Sequence, residues 1–198
     1  VGFLDDPETR RLQEGCLALS TEVLGARGGA WTPFVRRDLQ RPEAPLLLLP
    51  GVTIAPGTHD FWRYGMELKT DQSASLAAGV VASSGSFYDG RQEQAVLSAR
   101  WSPSPYLSVR ANYEVNFLSS LGTTDTTLVT YLAGPELRFF VSPRVQWSAF
   151  YQHNSVQQRG SLNARFSWEF APLSFLYVVY NDRQPVLDGT SPRARSLI

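Results

Sequence analysis

Apolar and polar residues alternate along much of the chain with a period of two. Residues 106–117 show it most clearly: every second residue from Leu107 to Phe117 is apolar, and the residues between them are polar. This period places the apolar side chains on one face of a β-strand and the polar ones on the other. The chain therefore predicts two-faced strands, and no segment has the period of an amphipathic helix.

The same pattern, bounded by turn residues such as Asp89-Gly90 and Ala171-Pro172, predicts roughly ten strands. They cover residues 11–24, 30–38, 59–69, 76–87, 94–102, 106–117, 126–141, 144–152, 162–170 and 175–180. Many have nine or more residues, whereas strands of soluble sheets average about five or six. A tilted strand needs about 9–11 residues to cross a bilayer.

The predicted connections alternate in length along the chain. Short turns are expected at 70–75, 103–105, 142–143 and 171–172, and longer loops at 118–125, 153–160 and 181–193, with the short turn 88–90 as an exception. Short turns on one side and longer loops on the other are typical of outer-membrane barrels. A further loop, 39–57, has an apolar centre, and we expect part of it to pack against the sheet.

Aromatic residues lie close to the ends of the predicted strands. Those beside the short turns are Trp101, Tyr106, Phe139, Phe140, Trp168, Phe170, Phe175 and Tyr177, and those near the other ends are Phe61, Trp62, Phe87, Tyr88, Tyr113, Phe117, Tyr151 and Tyr180. Two such bands match the aromatic girdles at the two membrane interfaces. A soluble sandwich or lipocalin-like barrel, with these rings in its core, is the alternative.

Composition removes several classes of function. Lys+Arg and Asp+Glu both number 18, so the net charge of zero gives no electrostatic argument for nucleic acid. The longest purely apolar run, residues 46–49, is too short for a transmembrane helix. The single cysteine, Cys16, forms neither an internal disulfide nor a metal site, and we interpret it as a small apolar residue.

No catalytic or cofactor motif is present, so no catalytic residue, metal or cofactor is expected. The histidines, His59 and His153, lie at strand–loop junctions where nothing fixes a triad. Asp89 is interpreted as a turn residue in preference to a cation ligand. The pair Arg36-Arg37 is interpreted as a solvated strand end, with contact to lipopolysaccharide phosphate as the alternative.

The best functional candidates are the charges opposite the apolar faces. They are Glu67, Lys69, Arg100, Arg110, Glu114, Arg138, Arg165 and Glu169. In a barrel these side chains face the lumen. There they either hold the strands in register through ion pairs or set the selectivity for a solute. Because the two signs are mixed, we favour the structural role.

Four segments, in this order, carry a resemblance. They are PGVTIAPGTHDFWRY, GSFYDG, SPYLSVRANYEVN and SPRVQWSAFYQHNSVQQRGSLNARFSWEFAPLSFLYVVYND. Together they resemble, over most of residues 47–182, a family of bacterial outer-membrane proteins. Its members join an N-terminal sandwich, similar to family-nine carbohydrate-binding modules, to a C-terminal β-barrel, and some are labelled membrane-associated hydrolases. The resemblance implies that a sandwich precedes this segment, and it carries over no catalytic residue.

We therefore expect an all-β fold, an antiparallel up-and-down transmembrane β-barrel. Residues 1–198 are expected to be a C-terminal barrel segment of a longer protein, incomplete at both ends. The expected location is the bacterial outer membrane, with lipid and lipopolysaccharide as partners and a glycan as a further ligand. The expected function is a passive pore or anchor linked to glycan uptake. The alternatives are a membrane-associated hydrolase, with its catalytic part luminal or outside this segment, and a soluble all-β binding domain.

Overall fold

A computed structural model of the chain describes residues 2–5, 12–183 and 194–197. Of the structure, 77% is strand, and the described residues include no helix. The strands are β1 (Gly2–Asp5), β2 (Leu12–Ser20), β3 (Val23–Leu24), β4 (Ala30–Gln40), β5 (Leu46–Leu49), β6 (Val52–Ile54), β7 (His59–Lys69), β8 (Leu76–Phe87), β9 (Gly90–Ser104), β10 (Leu107–Leu121), β11 (Thr126–Ser142), β12 (Val145–Asn154), β13 (Arg159–Ala171), β14 (Ser174–Arg183) and β15 (Ala194–Leu197). The prediction of an all-β chain is confirmed.

The strands form an antiparallel sheet whose spatial order follows the chain. The order is β1-β2-β4-β7-β8-β9-β10-β11-β12-β13-β14-β15, with β3 paired to β4, while β5 and β6 form a separate hairpin. Ten of these strands have nine or more residues, and they correspond to the roughly ten strands predicted; the shorter β1, β3, β5, β6 and β15 were not among those ten. Such a meander follows from short connections, because a tight turn returns the chain beside the strand that it has just left.

Contacts divide the chain into two units. The first contains Val1–Lys69, Val80–Val96 and Val115–Thr130, and the second contains Thr70–Gly79, Leu97–Glu114 and Tyr131–Ile198.

In the second unit, strand register separates the two predicted faces. Ala149 of β12 lies opposite Leu137 of β11 and Ala164 of β13. The next residue back, Ser148, lies opposite Arg138 and Arg165. Apolar residues thus adjoin apolar residues across three strands, and polar residues adjoin polar ones, as the alternation predicted.

Strand β14 is apolar on both of its faces. Leu176 lies opposite Trp168, whereas Phe175 and Tyr177 lie opposite Glu169 and Ser167 on the polar face. The sequence could not assign these faces, since residues 175–180 are apolar throughout. The register set by the two-residue connection 172–173 decides the assignment.

The predicted long loops are shorter than expected. Strand β10 continues to Leu121, β12 to Asn154 and β14 to Arg183, so the first two connections are only residues 122–125 and 155–158. The polar ends join the ladder because backbone groups pair whatever the side chain, as between Asn154 and Arg159. The connections 105–106, 143–144 and 172–173 have two residues each. Short and longer connections therefore still alternate from β9 to β14, although the difference in length is small. Residues 184–193, the rest of the third predicted loop, lie outside the described residues.

The apolar face of the sheet is the more exposed face. On β7, Trp62 and Tyr64 are 47% and 57% exposed, while Arg63 and Glu67 of the opposite face are half-buried. Among the described residues the buried hydrophobic side chains are few, and four of the six form a single cluster in the first unit. Apolar burial within the chain is therefore confined to small regions.

Gly85 of β8 is predicted to be essential for packing. A Cβ added there would lie 2.1 Å from the carbonyl oxygen of Trp62 and 2.8 Å from Cα of Arg63, so backbone would have to move. We expect Gly85→Ala to lower the free energy of unfolding by about 1–3 kcal/mol, measured by denaturant titration in detergent. The control is Gly134→Ala, because the nearest atom to that Cβ is a side-chain carbon 3.5 Å away. Equal effects of the two substitutions would contradict the prediction.

Candidate functional site

Three of the eight charges predicted to face a lumen take part in ion pairs along a strand. Glu67 and Lys69 of β7 are joined by a 2.8 Å contact between Oε1 and Nζ. Arg138 of β11 contacts Glu136 at 2.5 Å, so one partner of that pair was missed. Residues two apart on a strand lie on the same face, with backbones roughly 6.6 Å apart, so long charged side chains can reach each other. The alternation of apolar and polar residues does not show which of these charges form pairs.

Three further candidates bind local structure. Arg100 donates to the backbone carbonyls of Gln72 and Ala74, and so holds the connection 70–75. The guanidinium of Arg165 lies 4.4 Å from the ring centre of Tyr177, and Glu169 accepts a 3.1 Å hydrogen bond from the amide of Leu173.

Arg110 and Glu114 complete the set on β10, where Arg110 is exposed and Glu114 is half-buried with an interaction of its own. Glu67 and Lys69 belong to the first unit, and the other six residues belong to the second.

A cluster that the sequence reading missed lies on the polar face of the first unit. We call it the polar belt: Arg36 and Asp38 of β4, Arg63 of β7, Gln92 of β9 and Asn116 of β10. Nη1 of Arg63 donates to Oε1 of Gln92 at 3.1 Å, and Nε2 of Gln92 donates to Oδ1 of Asn116 at 2.7 Å. The available signal was the same-face spacing of Arg36 and Asp38, which resembles that of Glu67 and Lys69.

Strand register brings the belt together. Arg36 lies directly opposite Arg63, and Asp38 lies opposite Phe61 on one side and Cys16 on the other. Strand β8 runs between β7 and β9, and it contributes Gly85, which has no side chain to block the reach from Arg63 to Gln92. Cys16, which is half-buried, is thus the cross-strand neighbour of Asp38.

Two atoms of the polar belt are buried without a hydrogen-bond partner. Both Nε and Nη2 of Arg36 contact the same oxygen, Oδ1 of Asp38, at 2.8 and 2.7 Å. This leaves Oδ2 of Asp38 unpaired, and Nε of Arg63 is unpaired as well. Asp38 is only 6% exposed and Gln92 only 8%. Buried polar atoms are seldom left unsatisfied, so this arrangement is the strongest sign of a site in the described residues.

The side chains of Arg36 and Arg37, which the sequence analysis treated as one pair, lie on opposite faces of β4. Arg36 points to the polar face with Asp38, whereas Arg37 lies on the other face, with Nε 2.9 Å from Oδ1 of Asp60 and its guanidinium 5.4 Å from the ring centre of Trp62. Neighbouring residues of a strand point in opposite directions. They therefore cannot form one basic patch.

The hairpin β5–β6 packs onto the ends of neighbouring strands in the first unit. Val52, Ile54, Leu118 and Leu121 form its buried core. The amide of Thr123 donates to the carbonyl of Thr53 at 3.0 Å. The prediction that part of loop 39–57 packs down is confirmed. The apolar residues at the centre of this loop, such as Val52 and Ile54, are the ones that are buried.

An aromatic group connects this hairpin to the polar belt. The Phe61 ring centre lies 5.5 Å from that of Phe87 and 5.3 Å from that of Tyr88, and both of these residues pack against the hairpin core. The Tyr88 hydroxyl donates to Gln40. Burial raises the pKa of Tyr88, and the negative charge of Glu14 adds to the effect. Phe61 lies opposite Asp38 and two residues before Arg63 on the same face of β7. The aromatic group that packs on the hairpin therefore adjoins the polar belt.

The remaining candidates have structural partners. Nε2 of His59 lies 2.9 Å from the carbonyl oxygen of Ala55, and the His153 ring stacks on Tyr131. Asp89 lies in the turn between β8 and β9, as predicted, and its Oδ1 accepts a 3.0 Å hydrogen bond from the amide of Gly122 in another connection. No group of three or more His, Cys, Asp or Glu side chains suited to a metal occurs in the described part of the chain.

Comparison with known proteins gives no match to a family model, to a curated protein or to a solved structure. Within residues 2–5, 12–183 and 194–197, no helix has the length and apolar character to cross a membrane.

The hairpin core is expected to contribute strongly to stability. Leu121 is completely buried, so Leu121→Ala should lower the free energy of unfolding by about 2–5 kcal/mol. The matched control is Leu173→Ala, since Leu173 is 90% exposed and should change stability by less than about 0.5 kcal/mol. Denaturant titration of both variants in one detergent measures the difference, and a cost below 1 kcal/mol for Leu121→Ala would refute the packing role.

Proposed function

We propose that the chain is an antiparallel transmembrane β-barrel segment of a bacterial outer-membrane protein that acts as a passive pore or as an anchor. The observation that carries the proposal is the exposure of the apolar face. In a water-soluble sheet this face packs against a second layer, whereas in a membrane barrel it faces lipid.

Strand length supports the proposal. The shortest strand from β7 to β14 has ten residues, and β11 has seventeen. A tilted strand crosses the hydrocarbon core with about 9–11 residues. Each of these strands is long enough to span a bilayer, and β11 would extend beyond it.

The aromatic residues of the exposed face also support it. Close to the two-residue connections, Trp147 packs on Phe166 with ring centres 4.6 Å apart, and Trp168 lies 6.0 Å from Phe170. Rings of this kind are stable at headgroup depth, where one end is apolar and the other wet. Such a row is suited to one interface of a bilayer.

The polar face suits a water-filled interior. It carries the ion pairs of Glu67 with Lys69 and of Arg138 with Glu136. Charged side chains of this kind can line an aqueous pore and contact a solute that passes through it. A role in glycan uptake rests on the family resemblance alone. The hydrolase alternative gains no support from Glu169, because its carboxylate caps a turn.

Paired arginine substitutions on one strand test the location. Ala111 and Asn112 are adjacent exposed residues of β10, and their side chains point to opposite faces of the sheet. In lipid vesicles, Ala111→Arg should destabilise the fold by up to about 2–4 kcal/mol, depending on its depth, and Asn112→Arg by less than about 1 kcal/mol. Equal, small effects in vesicles would refute lipid contact and favour the soluble alternative.

Ion conductance separates a pore from an anchor. The full chain, refolded in detergent and added to a planar bilayer, is expected to give discrete, voltage-tolerant current steps if the polar face lines a pore. An inserted protein that gives no current, with insertion shown by protease protection, would leave the anchor and exclude the pore.

A further inference from the structure

A groove of about 710 Å³ lies on the exposed apolar face of the first unit. Small side chains of β8 and β9 form its floor, and larger side chains of β7 and β10 border it, because β8 and β9 lie between those strands in the sheet. The floor residues are Ala82, Ser84 and Ala95, and the bordering residues are Tyr64, Met66 and Phe117. Ligand sites have volumes of about 300–1,000 Å³, so the groove is large enough to hold a ligand.

This groove opens on the face of the sheet opposite the polar belt. Tyr64 directly follows Arg63 of the belt, and Phe117 directly follows Asn116, so both rings point away from it. The two rings are 57% and 50% exposed. In the proposed barrel this face is the one that contacts lipid.

A loose ion pair lies at one edge of the groove. Glu93 lines the groove, and its Oε1 is 3.6 Å from Nε of Arg91, which is too long for a hydrogen bond. Nη2 of Arg91 donates instead to Oγ of Ser84 at 3.1 Å, and this bond holds the guanidinium beside the groove floor. Both charged side chains are 58% exposed. An exposed pair of this kind contributes little to stability, so a ligand can separate it at small cost.

The groove and its charged edge favour different parts of one ligand. The groove suits a hydrocarbon chain, but a chain that moves there from bulk lipid gains little, because lipid tails are as apolar as the protein surface. Preference for one lipid over another therefore has to come from the headgroup. Arg91 complements a phosphate, and Glu93 complements a primary ammonium. Phosphoethanolamine carries both groups, whereas phosphoglycerol lacks the ammonium and phosphocholine lacks its N–H donors.

We propose that the groove holds one acyl chain of a lipid whose phosphoethanolamine headgroup binds at the edge, with the phosphate on Arg91 and the ammonium on Glu93. Arg91 is the second residue of β9, next to the turn at residues 88–89, and the groove continues along this strand to Ala95. A strand end is where headgroups meet a membrane barrel. This site rests on the proposed membrane location and adds to it a preference for one class of lipid.

Native mass spectrometry tests the headgroup. The full chain in detergent is incubated with an equimolar mixture of phosphatidylethanolamine, phosphatidylglycerol and phosphatidylcholine that carry the same acyl chains. The phosphatidylethanolamine adduct is expected to exceed each of the others at least about threefold. Glu93→Gln should remove this preference, because the ammonium loses its partner, and Arg91→Gln should reduce the adduct at least about threefold, because the phosphate loses its partner. Since both side chains are exposed, neither substitution should disturb the fold.

The matched control for the charges is Arg138→Gln. Arg138 forms an ion pair with Glu136, also two residues away, but on the polar face. This variant should leave the lipid preference unchanged.

Filling the groove tests the acyl chain. Ala95→Trp should reduce the phosphatidylethanolamine adduct at least about threefold although Arg91 and Glu93 remain, because the indole takes the space of the chain. The control is Ala99→Trp, two same-face steps further along β9 and outside the groove, which should have no effect. If Ala95→Trp does not fold, the two charge variants still decide the outcome.

Equal adducts of the three lipids, a larger phosphatidylglycerol adduct, a preference that survives Glu93→Gln, or a folded Ala95→Trp variant with unchanged binding would each overturn the proposal. These measurements are made in detergent and need no bilayer. Loss of the lipid preference with a large cost of Ala111→Arg in vesicles would reject the lipid site alone. A confirmed lipid site with equal, small effects of Ala111→Arg and Asn112→Arg would reject the barrel instead.

Discussion

The backbone ladder between neighbouring strands is the interaction on which the remaining structure depends. From β7 to β14, each strand pairs with the strand that follows it, so register is passed along this part of the chain by connections of two to six residues. Register decides which side chains meet, since a slip of one residue would exchange the two faces. The pairing of Ala149 with Ala164 and of Ser148 with Arg165 follows from the same ladder. Side-chain burial contributes little over most of the sheet, because the apolar face is exposed.

Within that ladder, the chain buries apolar surface mainly where a connection folds back. The hairpin β5–β6 gives the first unit a small core of Val52, Ile54, Leu118 and Leu121. Its aromatic neighbours reach Phe61, which lies opposite Asp38 of the polar belt. Packing and polar chemistry thus meet at one end of β4 and β7. Three rings, those of Phe61, Phe87 and Tyr88, and one strand pair lie between the hairpin core and the belt.

The long strands, and the two faces of those that alternate, could be predicted because a period of two is a local property of the sequence. The ends of the strands were less predictable. Residues 118–121 were assigned to a loop but belong to strand β10, because the local sequence does not show which strand they pair with. The site was missed for the same reason. Arg36, Arg63 and Gln92 are far apart in sequence, and their meeting depends on register and on Gly85, which a scan for motifs does not weigh. The faces of β14 were equally beyond reach, because all of residues 175–180 are apolar.

That two-sided strand has a consequence for the chain before it folds. In the sheet, β14 is paired by β13 and β15. Unpaired, residues 175–180 are a hexapeptide of β-branched, aromatic and leucine side chains without charge, proline or glycine, the composition that stacks into cross-β fibrils. Asp182 and Arg183 follow as charged gatekeepers on one flank, and Pro172 stands on the other. Refolding yield will therefore depend on how quickly β14 finds its neighbours relative to another copy of itself, and dilution should favour the sheet over the fibril.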